Sequence, residues 1–410
     1  MPLDFPHSIR PLPFFPASNL QKALSNPRTV VKICSMNMLL KYRTLGIVAG
    51  TVLLLTSFSA AYTKAWGQTE AERYYNQAMQ SYTAGSLDEA LDAAKKALEL
   101  EPASPRAFNY LGIIHKKMGH LEDAAACFNK ALEVDPAFAP AHSNLGMVCL
   151  DKDMMDEAVK ELEKAVELTP TSAEFHNNLA LALERKGMTE DAVTEAMHAT
   201  NINPQLAEPH WNLGRLYVKK KIFFKAIAEL EQAVAITPNL VPARHLLVEA
   251  YVSQNTLKKA EEECAKLLEM NPQDALAHAR LGVVYGKKGM TKEAVGEEQK
   301  ALAIDPGLAA AHTALGDLYV KEKKFNDAIS EYEAAIKADP KLADAHLGLA
   351  ALYNSAGMLD EALSVFNEAV KIDPHNPDAH QGLALTYKLK GMTEEADREY
   401  EIYEGYMRLR

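Results

Sequence analysis

Histidine recurs at one place in a repeating frame, and such a column is a candidate for metal binding or proton transfer. The histidines that share this place are His142, His176, His210, His278, His312, His346 and His380. Equivalent positions in stacked helical units lie at least one helix-packing distance apart, about 8–10 Å. Two ligands of one zinc ion must each lie about 2 Å from it. Neighbouring histidines therefore cannot share an ion, and we expect each ring to pack between helices.

The short motifs that carry common catalytic chemistry are absent from the sequence. It has no phosphate-binding glycine loop, no H-E-x-x-H, no G-x-S-x-G and no paired cysteines at metal-binding spacing. Cys264 falls at a core position and is expected as a buried thiol, whereas a bridge between Cys127 and Cys149 stays open, because spacing alone cannot show one. We predict that the chain is not an enzyme and binds neither cofactor nor metal.

The elements that must position the histidines follow from the period of the sequence. A proline recurs every 34 residues without insertion or deletion, at positions 102, 136, 170, 204, 238, 272, 306, 340 and 374. Columns of alanine and leucine keep the same register, for example Ala90, Ala124 and Ala158. Self-similarity at this period indicates a repeat array. Ten units start at residues 71, 105, 139, 173, 207, 241, 275, 309, 343 and 377 and fill 71–410.

Each unit predicts two helices. Apolar residues recur at three- and four-residue spacing in two stretches of every unit, which is typical of two amphipathic helices. Glycine stands between the stretches in six units and Asn255 in another, and both residue types tolerate the left-handed conformation that ends a helix. The column proline then ends the second helix. Glycine within the first helix, such as Gly214, permits close helix packing, and we expect tyrosines such as Tyr217 to fill the space beside it.

The spacing Leu-Gly-x-x-Tyr, then Ala, then Ala, then Pro on a 34-residue frame resembles the tetratricopeptide repeat. Runs such as "AHSNLG" and "PHWNLG" are similar to the superhelical array of O-GlcNAc transferase, although we expect no glycosyltransferase domain in these 410 residues. The histidine column departs from the family pattern, which often has tryptophan there. The resemblance implies an all-α, right-handed solenoid whose first helices line a concave groove that holds peptides.

The resemblance also implies which side chains face that groove. Asn144, Asn178 and Asn212 share the sixth position of their units and form a ladder that suits the backbone of a bound peptide. Trp211 precedes Arg215 by one helical turn, and an aromatic ring beside arginine is the composition of an interaction hot spot. Around it the resemblance places four further candidate groove residues: Asn177, Arg185, His245 and Glu249.

The first 70 residues differ from the array in charge. They carry seven basic and two acidic side chains, so the chain's net charge of −11 leaves −16 for residues 71–410. An acidic array argues against nucleic-acid binding, which needs clustered Lys and Arg. Residues 41–67 have a basic flank, an apolar run and small residues, as in a signal peptide. The uncharged stretch 44–63 is also long enough for a membrane anchor, and both interpretations stay open.

Residues 1–40 are proline-rich and unlike the array, so we expect either a disordered segment or an extension ahead of the true start at Met36 or Met38. With a leader at 41–67 the array lies outside the cytoplasm, in the periplasm or held at the membrane. We therefore expect a scaffold that binds peptide or protein segments in its groove. Two alternatives are an accessory subunit of an envelope export, pilus or polysaccharide machine, and the targeting module of a separate glycosyltransferase.

Overall fold

The computed structural model describes residues 69–408, and within them every regular element is an α-helix. The segments 1–40 and 41–67, with the stretch 44–63, lie outside the described residues. The twenty helices of the described part are α1 Glu70–Ala84, α2 Leu87–Leu100, α3 Pro105–Lys117, α4 Leu121–Val134, α5 Ala139–Asp151, α6 Met155–Leu168, α7 Ala173–Arg185, α8 Thr189–Ile202, α9 Ala207–Lys219, α10 Phe223–Ile236, α11 Val241–Ser253, α12 Leu257–Met270, α13 Ala275–Lys287, α14 Thr291–Ile304, α15 Ala309–Lys321, α16 Phe325–Ala338, α17 Ala343–Ser355, α18 Leu359–Ile372, α19 Pro377–Leu389 and α20 Thr393–Arg408.

The helices form ten antiparallel pairs, one pair for each 34-residue unit, which confirms the predicted fold class. The chain divides into two compact units between Asn76 and Gln77. Of the first unit the structure describes only 69–76, and the following account concerns the second. No helix within the part of the chain that the structure describes has the length and apolar character needed to span a membrane.

The column proline sets where the second helix ends in the first nine pairs, as the sequence predicts. Helix α6, for example, ends at Leu168, and Thr169 before Pro170 is extended at φ −140°. The helical region is sterically disfavoured for a residue that precedes proline. Some first helices are capped on their N-terminal side by a hydroxyl or carboxylate: Ser172 Oγ accepts a hydrogen bond from the backbone N–H of Phe175 at 3.3 Å.

The turn inside each pair has a left-handed residue at the predicted place. Six of these residues are glycine, and Asn255 has φ 55°. The same column also holds Asp153, Lys221 and Lys323 at φ 63°, 58° and 61°. The turn geometry is therefore imposed by the packing of the pair, because an ordinary side chain adopts it where glycine is missing.

Packing within several pairs rests on a glycine of the first helix and a larger residue of the second. A Cβ atom on Gly214 would lie 2.6 Å from Leu230 Cγ, and one on Gly112 would lie 2.5 Å from Phe128. The large partner is therefore a residue of the second helix. The expectation that Tyr217 fills this space is wrong, because Tyr217 instead contacts Met197 Sδ of the preceding repeat at 3.7 Å.

Between successive pairs, the first helices contact one another from α3 onward. A second helix contacts the first helix of the next pair. The first helices therefore form the inner layer of the stack. The surface of these first helices that faces solvent is named the first-helix face below. Cys127, Cys149 and Cys264 are all unpaired, and Cys264 is fully buried, which raises the pKa of its thiol to about 12.

Candidate functional site

The histidine column joins the two helices of a repeat to the repeat before it. In His142 the ring Nδ1 lies 2.6 Å from Glu161 Oε2, and Nε2 lies 3.1 Å from the carbonyl oxygen of Pro136. The same pair of contacts recurs at His176, His210, His278, His312 and His380. Each ring therefore places one nitrogen against a carboxylate of its own repeat and the other against a backbone carbonyl of the preceding repeat.

Two repeats vary this contact. In the sixth repeat Arg244 replaces histidine and donates to Glu263 and to the carbonyl oxygen of Pro238. In the ninth repeat Val365 stands where the carboxylate would be, and His346 Nδ1 contacts only the carbonyl of Leu342, at 3.1 Å. The residues of the column therefore link the two helices of a repeat to the preceding repeat, and they lie apart from the first-helix face.

The asparagine ladder bonds one repeat to the next. Asn144 donates from Nδ2 to Asn109 Oδ1 at 3.0 Å, and Asn178 donates to Ser143 Oγ at 3.1 Å. Asn212 donates to Asn177 Oδ1 at 2.8 Å, and both of these residues are buried. Each amide has a second N–H and a carbonyl oxygen. The role of the ladder in holding a peptide backbone stays a prediction.

Trp211 and Arg215 meet on α9, as their spacing predicts. The guanidinium carbon of Arg215 lies 5.6 Å from the centre of the Trp211 ring. Arg215 is held by Glu184 of the preceding repeat, with its two terminal nitrogens 2.8 Å and 2.6 Å from the carboxylate oxygens. It also donates to Asn212 Oδ1 at 3.3 Å. One hydrogen bond and a close ion pair to the same carboxylate therefore hold the guanidinium beside the indole.

Trp211 lines a depression of about 530 Å³ that spans the fourth and fifth repeats. Leu206 and Leu240 contribute apolar walls, and the exposed side chains of Glu174 and Glu208 contribute negative charge. The indole Nε1 and the guanidinium Nε of Arg215 are buried and make no hydrogen bond within the described residues. The depression therefore offers an aromatic wall, an acidic rim and a buried indole N–H donor.

The other predicted groove residues contact neighbouring repeats. Asn177 lines the depression with Trp211. Arg185 donates to the carbonyl of Leu150 at 3.1 Å, and His245 Nε2 lies 3.1 Å from Asp274 Oδ2. Glu249 accepts from Arg280 at 3.4 Å. Burial lowers the pKa of His245, an effect that Asp274 opposes and Arg280 reinforces.

Sequence reasoning missed Glu184, Glu174 and Glu208. A signal for Glu184 was present: it precedes Arg215 by 31 residues, and Glu249 precedes Arg280 by the same interval. This interval is three residues short of the period. An acid and an arginine so spaced meet across the interface of successive first helices. No comparable signal marks Glu174 or Glu208, because their position depends on where the depression forms.

Comparison with family models finds matches across much of the array. Models described as tetratricopeptide repeat match residues 105–138, 173–206, 225–281, 313–377 and 354–401, and one described as TPR repeat matches 148–187. A search of curated proteins finds no match to the chain.

Solved structures with a similar fold are only distantly related. The yeast Tom70 structure is 14% identical, covers 81% of this chain and 91% of its own, and superimposes with a TM-score of 0.49. YrrB, titled as a TPR protein with an unusual peptide-binding site, is 23% identical, with 45% and 95% coverage and a TM-score of 0.37. MamA from Desulfovibrio magneticus RS-1 is 19% identical, with 42% and 96% coverage and a TM-score of 0.38.

Proposed function

The chain belongs to the tetratricopeptide repeat family, and on that premise we propose that it is a non-enzymatic scaffold that binds a peptide or protein segment along the first-helix face. Arrays of this family are typically non-catalytic. We place the anchor of the bound segment at the depression around Trp211. The acidic rim favours a segment with a basic residue next to an apolar one.

One observation carries the proposal: the indole N–H of Trp211 is buried and makes no hydrogen bond within the described residues, at a partly open depression with apolar walls and an acidic rim. A buried donor without an acceptor costs free energy, about 1–3 kcal/mol. A carbonyl oxygen of a bound segment would accept this hydrogen bond while an apolar side chain covers the ring. Glu174 and Glu208 would then face a lysine or arginine of the segment.

The proposal can be tested by selecting peptides from a random display library on the full chain. We expect the selected sequences to share an apolar residue beside Lys or Arg. Binding is then measured by the fluorescence anisotropy of a dye-labelled selected peptide, a readout that works equally for the parent protein and for a variant that lacks Trp211. Trp211→Ala should weaken binding roughly 30-fold, because hot-spot residues contribute about 2 kcal/mol or more.

Phe224→Ala is the matched control, since Phe224 is an exposed aromatic at the start of the second helix α10. It should leave the affinity unchanged. Equal affinities for the Trp211→Ala variant and the parent protein would overturn the assignment of the anchor. A library that yields no shared motif would overturn groove binding of short segments altogether.

A second candidate function is that of an accessory subunit recognised through its C-terminal end. A depression of about 1120 Å³ lies between the last two repeats, and Leu385, Leu389 and Tyr400 there are each about half exposed. Apolar surface of this kind is a feature of protein interfaces. Leu385→Glu would abolish co-purification of a partner subunit under this proposal, whereas Trp211→Ala would not.

The proposed location outside the cytoplasm rests on the composition of residues 41–67 alone. The basic flank and the apolar run favour export of the array or retention at the membrane. Fractionation of cells, combined with the intact mass of the natural protein, would test this: recovery in the cytoplasmic fraction with residues 41–67 retained would contradict it.

A further inference from the structure

The second repeat carries two histidines at positions where the other repeats have different residues. His115 stands near the end of α3, and His120 directly precedes α4. The first position holds tyrosine in the last six repeats, and the second holds methionine in five repeats. The fold therefore does not require histidine at either position.

The turn of the pair brings these two residues together with Asp123. The backbone N–H of His120 donates to the carbonyl of His115 at 2.9 Å, a bond that Met154 and Cys149 also make in the third repeat. Residues eight apart across the turn, such as His115 and Asp123, also meet in other repeats. In the sixth repeat, for instance, Lys259 Nζ lies 5.2 Å from the centre of the Tyr251 ring.

The three side chains present their ligand atoms to one point. Each offers an atom within 4.8 Å of the others, and His115 Nδ1 lies 4.0 Å from Asp123 Oδ2. Among residues 69–408 this is the one group of three or more His, Cys, Asp and Glu with that geometry. His115 Nδ1 is buried and makes no hydrogen bond within that range.

We propose that His115, His120 and Asp123 bind a divalent first-row transition ion, with Zn²⁺ as the best match and solvent completing its coordination. Two imidazole nitrogens and one carboxylate oxygen are the ligand types that zinc takes in open sites. Nitrogen donors disfavour Ca²⁺ and Mg²⁺, which prefer oxygen. The proposal stands apart from peptide binding and revises the sequence-based expectation that the chain binds no metal.

Only small movements would close the site. Ligand atoms that share a tetrahedral zinc ion lie about 3.4 Å apart, given bonds of about 2.0–2.2 Å. His120 and Asp123 are exposed, so their side chains are free to rotate by the required ångström or so.

Zinc binding would cross-link the end of α3 to the first turn of α4. In other repeats the same turn is closed by a backbone hydrogen bond, such as that from Met154 N–H to the carbonyl of Cys149. The ion would thus stabilise the second repeat. Because an ion that binds only the folded state shifts the folding equilibrium by mass action, the effect depends on the concentration of free zinc.

Titration of the metal-free full chain with Zn²⁺ in a calorimeter tests the proposal. We expect one ion per chain, and we expect His115→Tyr and His120→Met each to weaken binding by more than tenfold, since losing even an outer-shell partner typically costs about 10–100-fold. Both variants introduce the residue that other repeats carry. Circular dichroism checks that each remains folded.

His198→Ala is the matched control, because exposed His198 lies 5.4 Å from the ring of His176 and tests adventitious binding to a histidine pair. It should leave stoichiometry and affinity unchanged. Cobalt(II) provides a second readout. Its visible absorption should change when it is added to the parent protein and should not change when it is added to the His120→Met variant. Unchanged zinc binding in both His115→Tyr and His120→Met would overturn the site.

Discussion

Arg244 donates to Glu263 in the sixth repeat from the place that a histidine occupies in seven others. Both side chains are nearly buried, and Arg244 Nε also donates to the carbonyl of Pro238 at 2.8 Å. Arginine is always protonated and accepts no hydrogen bond. The substitution therefore keeps, at this position, a donor to both a carboxylate and a carbonyl.

The first prediction compares two histidines of this column that are equally buried. His210 contacts Glu229 at 2.6 Å and the carbonyl of Pro204 at 3.2 Å, whereas His346 faces Val365 and bonds only to a carbonyl. His210→Phe should lower the free energy of unfolding by about 2–3 kcal/mol, because it leaves a partly buried carboxylate without its partner. His346→Phe should cost about 1 kcal/mol.

Urea denaturation followed by circular dichroism measures both changes. His210→Arg provides a rescue variant, since Arg244 shows that the longer side chain fits the same partners. It should retain most of the stability of the parent protein. Equal losses for His210→Phe and His346→Phe would contradict the role assigned to the carboxylate.

The second prediction concerns Glu298, which is fully buried and makes no hydrogen bond within the described residues. It packs where a Cβ atom on Gly282 would touch it, a place that Leu162 and Leu230 fill in other repeats. Burial, with a smaller contribution from the charge of Glu297, raises the pKa of Glu298 to about 9. Glu298→Leu should therefore stabilise the array.

The gain in stability from Glu298→Leu should grow as the pH rises. The folded chain keeps a proton on Glu298 that the unfolded chain releases above its ordinary pKa of 4.5. Stability contributed by this group is thus full below pH 4.5 and falls as pH rises toward 9, by about 1.4 kcal/mol per pH unit. The advantage of Glu298→Leu should be roughly 3 kcal/mol larger at pH 7 than at pH 4.5.

Thermal unfolding at several pH values between 5 and 8 provides the measurement. Glu298→Gln serves as the control, because it keeps a buried polar group and removes only the titration. Its stability should vary less with pH than that of the parent protein. A parent and a Glu298→Leu variant whose stabilities change in parallel with pH would refute the buried, protonated carboxyl.

The fold could be predicted from sequence because each of its determinants is local. Pro170 ends α6 through its own ring, and Asn255 tolerates the left-handed conformation of its turn. Because the period has no insertions, the same local sequence signals recur from one unit to the next. Lys221 and Lys323 could not be assigned to left-handed turns from their type, but their place in the column indicates it.

The site could be predicted less well, because its contacts depend on how repeats face one another. That Trp211 and Arg215 meet follows from helical spacing. The bond between Asn212 and Asn177 joins residues 35 apart and depends on the register of two stacked helices. The partners of the histidines were within reach of the sequence: wherever His or Arg occupies the column, Glu follows 19 residues later, except after His346.

The third prediction concerns the left-handed turn at Lys221, whose φ is 58°. A side chain with a Cβ atom pays about 1–2 kcal/mol in this conformation, whereas glycine adopts it freely. Lys221→Gly should raise the free energy of unfolding by about 1 kcal/mol, since glycine also loses more entropy on folding. Asn255→Gly should raise the free energy of unfolding by less, because asparagine tolerates the left-handed conformation. Urea denaturation measures both changes in the free energy of unfolding. Equal gains for the two variants, or a loss for Lys221→Gly, would count against backbone strain in this turn.

The fourth prediction tests whether the small and the large residue of a pair are matched in size. Gly214 faces Leu230, whereas the fourth repeat has Ala180 and Ala196 at the same two positions, both fully or almost fully buried. Gly214→Ala alone should cost about 1–3 kcal/mol, because its Cβ atom would lie 2.6 Å from Leu230 Cγ. Leu230→Ala alone should cost about 2–5 kcal/mol through the cavity it leaves.

The double variant reproduces the pair of the fourth repeat and relieves the clash, so its loss should be smaller than the sum of the single losses by at least about 1 kcal/mol. Gly296→Ala is the control for adding a methyl group to a helix, since a Cβ atom there meets nothing within 4 Å. It should stabilise the array by about 1 kcal/mol through helix propensity. Denaturation of all four variants measures the coupling, and strictly additive losses at Gly214 and Leu230 would show that the two positions do not constrain each other.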